Sequence, residues 1–211
     1  MIILYFETIV YLGILLMGSI LGVLHFKELN QSMKILCILL IITFFSESLS
    51  EMLYINLKNN LPIFHIYNPI QFTLLAIAYN YELKNRMVIY FFIIIYIISS
   101  IINSIFFQSF FDEFCSNSIN INFILVCYIC LWYLYRLLHE DTNNKFSNYP
   151  LFWISIGYLF ANSTNLVGLG LFNTITDKEI SNIFQNVRNF VNWFLYIVYI
   201  FAFYSKQASL Q

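Results

Sequence analysis

The stretch FFSESLSEMLY, residues 44–54, carries two glutamates one helical turn apart, Glu47 and Glu51, with serines at 46, 48 and 50. The sequence on both sides is strongly apolar. At the centre of a bilayer each charged carboxylate costs about 2.5–3.5 kcal/mol on insertion scales. A helix through this stretch puts Ser46, Glu47, Ser50 and Glu51 on one face. That face therefore has to meet other protein groups, water or a ligand rather than lipid.

The rest of the chain makes the bilayer the expected solvent. Of 211 residues, 60% are hydrophobic, 20% aromatic and only 10% charged, against about a quarter charged in soluble domains. The net charge of −1 and the lack of any Lys/Arg run exclude nucleic acid as a partner. Cys37, Cys115, Cys127 and Cys130 are scattered and define no disulfide framework, so free thiols are expected. Cys127 and Cys130 form a CxxC inside an apolar run, without the second pair or the histidine that a metal site needs.

Apolar runs of about 20 residues predict seven helices, near 2–24, 35–57, 62–83, 87–108, 119–138, 150–171 and 182–204. Pro62 and Pro150 fall in the first turns of the third and sixth, where a missing amide does no harm. The fold class expected is an all-α membrane protein, a single seven-transmembrane-helix bundle over residues 1–211. Lys27, Lys34, Lys84, Arg86, Arg136, Lys145 and Lys206 fall on one side of it, and Lys58, Lys178 and Arg188 on the other. By the positive-inside rule the N-terminus is outside and the C-terminus cytoplasmic, as expected for a multi-pass protein of a bacterial inner membrane. No basic segment precedes the first apolar run and no small-residue cleavage site follows it, so a retained helix is expected rather than a signal peptide.

In that orientation the polar residues gather in the outer half. The seventh helix has Gln185, Arg188, Asn189, Asn192 and Tyr196 in one stripe; the third has His65, Asn68 and Gln71 on one face, with Pro69 interrupting its hydrogen-bond ladder. The sixth adds Ser155, Tyr158, Asn162 and Asn165, the fourth Tyr96, Ser99 and Asn103, and Glu7 lies near the outer end of the first. The fifth is comparatively bare. The inner half reads as apolar and aromatic, and the Phe and Tyr abundance as mostly lipid-facing surface. The candidate ligand-binding set is Glu47, Glu51, His65, Asn68, Gln71, Asn103, Asn162, Asn165, Gln185, Arg188, Asn189 and Asn192, lining a cavity open to the exterior. Amides and hydroxyls also serve as hydrogen-bonding glue between membrane helices, worth about 0.6 kcal/mol each, and that reading competes residue by residue. Gly18 and Gly22 form a GxxxG that points to close helix packing rather than to a dimer seam.

The segments NNLPIFHIYNPIQFTLLAIAYNYELK (59–84) and PLFWISIGYLFANSTNLVGLGLF (150–172), with SESLSEMLY before them and NSIFFQSF (103–110) between, resemble a family of small seven-helix membrane proteins of Bacteroidetes. That family has an acidic residue in a pattern like HIYxxIEF where this chain has Gln71. The resemblance implies the architecture and carries over no activity.

Three functions compete. The first is a sensor that binds a small amphiphile or lipid and signals through a separate cytoplasmic or membrane partner, with Arg188 meeting an anionic group. The second is a metal-free intramembrane lipid enzyme with a glutamate base and His65 as acid. The third is a proton-coupled carrier using Glu47 and Glu51, against which the polar path stops halfway across. No cofactor or metal is expected: His25 and His139 fall at the opposite end from His65, and no lysine in the interior of the seventh helix could hold retinal. No serine–histidine–aspartate constellation suggests nucleophilic catalysis.

Overall fold

The computed structural model describes the backbone of residues 2–140, 146–172 and 178–204, and the side chains of residues 7–139, 146, 148–168 and 186–204. Among these there are seven α-helices and no strand: α1 (Ile2–Leu24), α2 (Gln31–Leu57), α3 (Leu61–Leu83), α4 (Arg86–Ile102), α5 (Ser116–Glu140), α6 (Pro150–Phe172) and α7 (Lys178–Tyr204). A π-helical turn, Asn103–Phe107, continues α4. Six of the helices have stretches long and apolar enough to cross a bilayer. Over its described residues α6 is not among them, since it carries Asn162, Ser163, Thr164 and Asn165 in succession.

Local chemistry sets the helix ends. Asn30 caps α2, its side chain accepting from the Met33 amide at 2.9 Å, which satisfies one of the orphan donors of the first turn. Both α2 and α3 stop at a lysine in the left-handed region, Lys58 (φ 58°) and Lys84 (φ 52°). The amides of these lysines close the last turns onto Tyr54 and Asn80. Pro62 and Pro150 do sit in the first turns of α3 and α6. α3 continues through Pro69, and Thr73 donates to the Pro69 carbonyl at 2.7 Å.

Helices α1, α2, α3, α5, α6 and α7 close a ring, each packed on the next and α7 back on α1; α4 lies outside against α3 and α5. The end of the bundle where α2 stops and α3 begins is called the head here, and the end where α1 stops and α2 begins the base. Gly18 and Gly22 face inward. A Cβ on Gly22 would lie 2.7 Å from Cys37 Sγ of α2 and 3.1 Å from the Phe203 ring of α7, and one on Gly18 would lie 2.9 Å from Leu40 Cδ2. The GxxxG thus seats α1 between its two ring neighbours.

The aromatic residues divide by type. Many phenylalanines, among them Phe45, Phe91, Phe106, Phe107 and Phe111, are exposed, whereas Tyr67, Tyr79, Tyr96, Tyr133, Tyr158, Tyr196 and Tyr199 are buried. The expectation that tyrosine is surface is therefore wrong for these seven. Their rings fill the interior of the bundle, and the hydroxyls of Tyr67, Tyr79, Tyr96, Tyr158 and Tyr199 find partners there, which lipid could not supply.

Candidate functional site

The polar residues of the head fall into two groups. The first ties down the connection between α4 and α5. His65 on α3 reaches across with both ring nitrogens: Nε2 meets the Glu113 carbonyl at 3.0 Å and Nδ1 the Ser104 hydroxyl at 2.7 Å. A carbonyl only accepts, so Nε2 carries a proton. Asn68, one turn on, donates to the Cys115 thiol at 3.3 Å. Asn103 donates to Gln108 at 3.0 Å and accepts from Asn117 at 3.3 Å, while Gln108 donates to Ser116 at 2.8 Å. The π-helical turn brings Asn103 and Ser104 into this network; a wider turn here re-aims side chains that a continued α-helix would present elsewhere. Gln71 lies deeper, within 3.5 Å of the Asn122 amide on α5, so α5 is less bare than its sequence suggests. Burial pushes the Cys115 thiol up to about 11, although the Asn68 amide works in the other direction.

The second group joins α1, α2, α6 and α7. Tyr11 donates to the Glu47 carboxylate at 3.2 Å, and Arg188 and Glu51 are charged groups whose fields reach that carboxylate. Asn189 donates to Glu7 at 2.8 Å. One turn further along α7, Asn192 accepts from Asn165 of α6 at 3.3 Å. Asn162 and Asn165 are buried, Glu51 is half-buried and Arg188 is exposed. The Asn165 carbonyl oxygen is buried with no hydrogen-bond partner. Gln185 belongs to the same stripe of α7, but its side chain lies outside the described residues.

From Glu47 the polar character runs on toward the base through hydroxyls. The Tyr11 ring meets that of Tyr196 edge to face at 5.7 Å, and the Tyr196 ring lies 6.2 Å from that of Tyr199. Tyr199 and Tyr158 join hydroxyl to hydroxyl at 2.7 Å. Nearer the base Tyr79 is 2.8 Å from Ser155 and 3.2 Å from Cys130. Ser155 gives its proton to the Leu151 carbonyl at 2.7 Å, so Tyr79 is the donor in that pair. By the same reasoning Tyr67 donates to Thr43 at 2.7 Å, because Thr43 donates to the Leu39 carbonyl.

At the base stands a carboxylate that the sequence reading passed over. Glu82, in the last turn of α3, is only 4% exposed and accepts from Ser32 of α2 at 3.1 Å. Tyr133 of α5 lies within its electrostatic reach. The signal was present: Asn68, Phe72, Leu75, Tyr79 and Glu82 follow helical spacing down the buried face of α3. Its place in the last turn of the helix, two residues before Lys84, masks that pattern.

The fold and these groups define a multi-pass integral membrane protein with a polar interior, embedded in a lipid bilayer. No family model, curated protein or solved structure matches the chain. All four cysteines are free thiols. Among the described residues no group of three His, Cys, Asp or Glu side chains could hold a metal ion.

Proposed function

We propose that the chain is a receptor of a bacterial inner membrane, with the head outside and the base in the cytoplasm. In this reading it binds a small anionic amphiphile between α1, α2, α6 and α7 and signals through a separate partner. The observation that carries this reading is the second head group. Glu47 rests on a single phenol, Arg188 is exposed nearby, and the Asn165 carbonyl oxygen is buried without a partner, so the group is polar but incompletely satisfied. Buried polar atoms without partners are rare in folded proteins and each calls for an explanation; Asn80 and Asn120 carry the same kind of atom elsewhere in the bundle, and it is the charged neighbours Glu47 and Arg188 that set this one apart. The loop-anchoring residues His65, Asn68 and Asn103 support the site from the side, and Glu51, Asn162, Asn189 and Asn192 line it. Membership of the Bacteroidetes seven-helix family is part of this proposal and rests on the segments quoted above.

The test is mass spectrometry of the small molecules and lipids retained by protein purified in mild detergent, comparing the wild type with Arg188→Ala. A specific compound held by the wild type and lost from the variant supports the receptor reading and identifies the ligand class. Identical bulk lipid in both reduces the head group to interhelical packing.

A second reading, proton-coupled transport, is favoured by one observation: the tyrosine hydroxyls extend the polar path past Glu47 into the half of the bundle that the sequence marked as apolar. Proteoliposomes holding a pH-sensitive dye separate the two. A carrier moves protons and loses flux in Tyr199→Phe, whereas a receptor moves none. The lipid-enzyme reading is the weakest of the three, because both ring nitrogens of its acid, His65, are engaged with the α4–α5 side.

A further inference from the structure

The base has a cavity of about 400 Å³ where the end of α3, the turn into α4 and the last turns of α5 meet. Lys84, Asn85, Trp132, Tyr135, Arg136 and His139 line it, and among the described residues none of those lining it is acidic. Arg136 is held in place. One guanidinium nitrogen donates to the Glu82 carbonyl at 3.0 Å and also to the Leu83 carbonyl, which covers the negative end of α3 and fixes the plane of the group. His139 is oriented too, with Nδ1 2.8 Å from the Tyr135 carbonyl and its ring against that of Tyr135 at 4.2 Å. Since that carbonyl only accepts, Nδ1 is the protonated nitrogen. Lys84 is exposed at the mouth.

The surroundings are apolar. Met87, Tyr90 and Phe91 on α4 and Leu131 and Leu138 on α5 are exposed. One turn deeper, Phe92 and Tyr128 meet edge to face at 5.5 Å, bridging the two helices. Cationic groups at a helix end, Trp and Tyr at the same level, and a bare hydrocarbon surface beyond them follow the order of chemistry along a phospholipid: phosphate, glycerol, acyl chain. A soluble anion would match the first of these and leave the rest without a purpose.

We propose that this cavity is a binding site for an anionic phospholipid, whose phosphodiester lies between Lys84 and Arg136 and whose chains follow α4 and α5. The site is independent of the receptor reading and of the orientation of the bundle. It is tested by native mass spectrometry of the full chain in detergent, titrated in turn with phosphatidylglycerol, phosphatidylcholine and water-soluble glycerol phosphate. Phosphatidylglycerol is expected to give one tight adduct that phosphatidylcholine does not displace at equal concentration and that glycerol phosphate does not compete away. Lys84→Gln is expected to weaken it about fivefold, the effect of one cation at a lipid surface. Arg136 also holds the end of α3, so the second variant is His139→Glu, which leaves that cap in place and sets a carboxylate against the phosphodiester, so the adduct should weaken as well. Equal binding of the two phospholipids, displacement by glycerol phosphate, or an adduct unchanged in both variants would each overturn the proposal.

Discussion

The Tyr11 hydroxyl donates to the Glu47 carboxylate across the α1–α2 interface, 3.2 Å apart and 36 residues distant in sequence. Tyr11→Phe removes the one hydrogen bond described for that carboxylate in the bundle interior. The expected loss is about 1–3 kcal/mol, the range for a hydrogen bond to a charged group, in a half-buried pair. Glu47→Leu replaces the charge with an apolar side chain, and in that background Tyr11→Phe should cost less. A double-mutant cycle on unfolding in mixed micelles measures the difference, and strict additivity would mean that the contact carries no coupling.

The two helix-packing glycines differ from a third in what they face. Gly22→Ala places a methyl 2.7 Å from Cys37 Sγ and should destabilise by about 1–3 kcal/mol, the usual cost of overpacking. Gly13 has nothing within 4 Å of a built Cβ. There, alanine should be neutral or stabilise by up to about 1 kcal/mol through helix propensity. Melting temperatures of the two variants should move in different directions or by clearly different amounts.

His65 holds the α4–α5 connection through the Glu113 carbonyl and Ser104. His65→Ala should release residues 108–115 from the head while leaving the ring of helices intact. Limited proteolysis of the protein in detergent micelles would then cut this loop faster in the variant. Unchanged cleavage would show that Asn103, Gln108 and Asn68 hold the loop without it.

Cys115 predicts a pH dependence. Its ordinary value is 9.0 and burial raises it to about 11, so the folded state favours the neutral thiol. The contribution to stability is present in full below pH 9 and is lost as pH rises toward about 11, a difference on the order of 2–3 kcal/mol. Subtracting the stability curve of Cys115→Ala from that of the wild type isolates it; a flat difference between pH 8 and 11 would contradict the assignment. Maleimide labelling of Cys115 in the folded protein should likewise stay slow at neutral pH.

What the sequence determined by itself was the class of solvent and the element list. Hydropathy over about 20 residues needs only local information, and the seven helices lie within a few residues of where the apolar runs predict them. The Gly18/Gly22 spacing also identified a close helix approach before any neighbour was known. What only the tertiary structure decided was which polar groups meet. The third-helix stripe of His65, Asn68 and Gln71 divides between the α4–α5 loop and α5, because the π-helical turn at Asn103 and the placement of α4 outside the ring cannot be read from periodicity. The tyrosines divide from the phenylalanines for a related reason. Both are large and apolar enough for lipid, so composition treats them alike, but a phenol hydroxyl needs a partner. Only the closing of the ring put Tyr199 against Tyr158 and Tyr11 against Glu47, and only the side-by-side packing of α2 and α5 on α3 turned Glu82 from a charge at a helix end into a buried one.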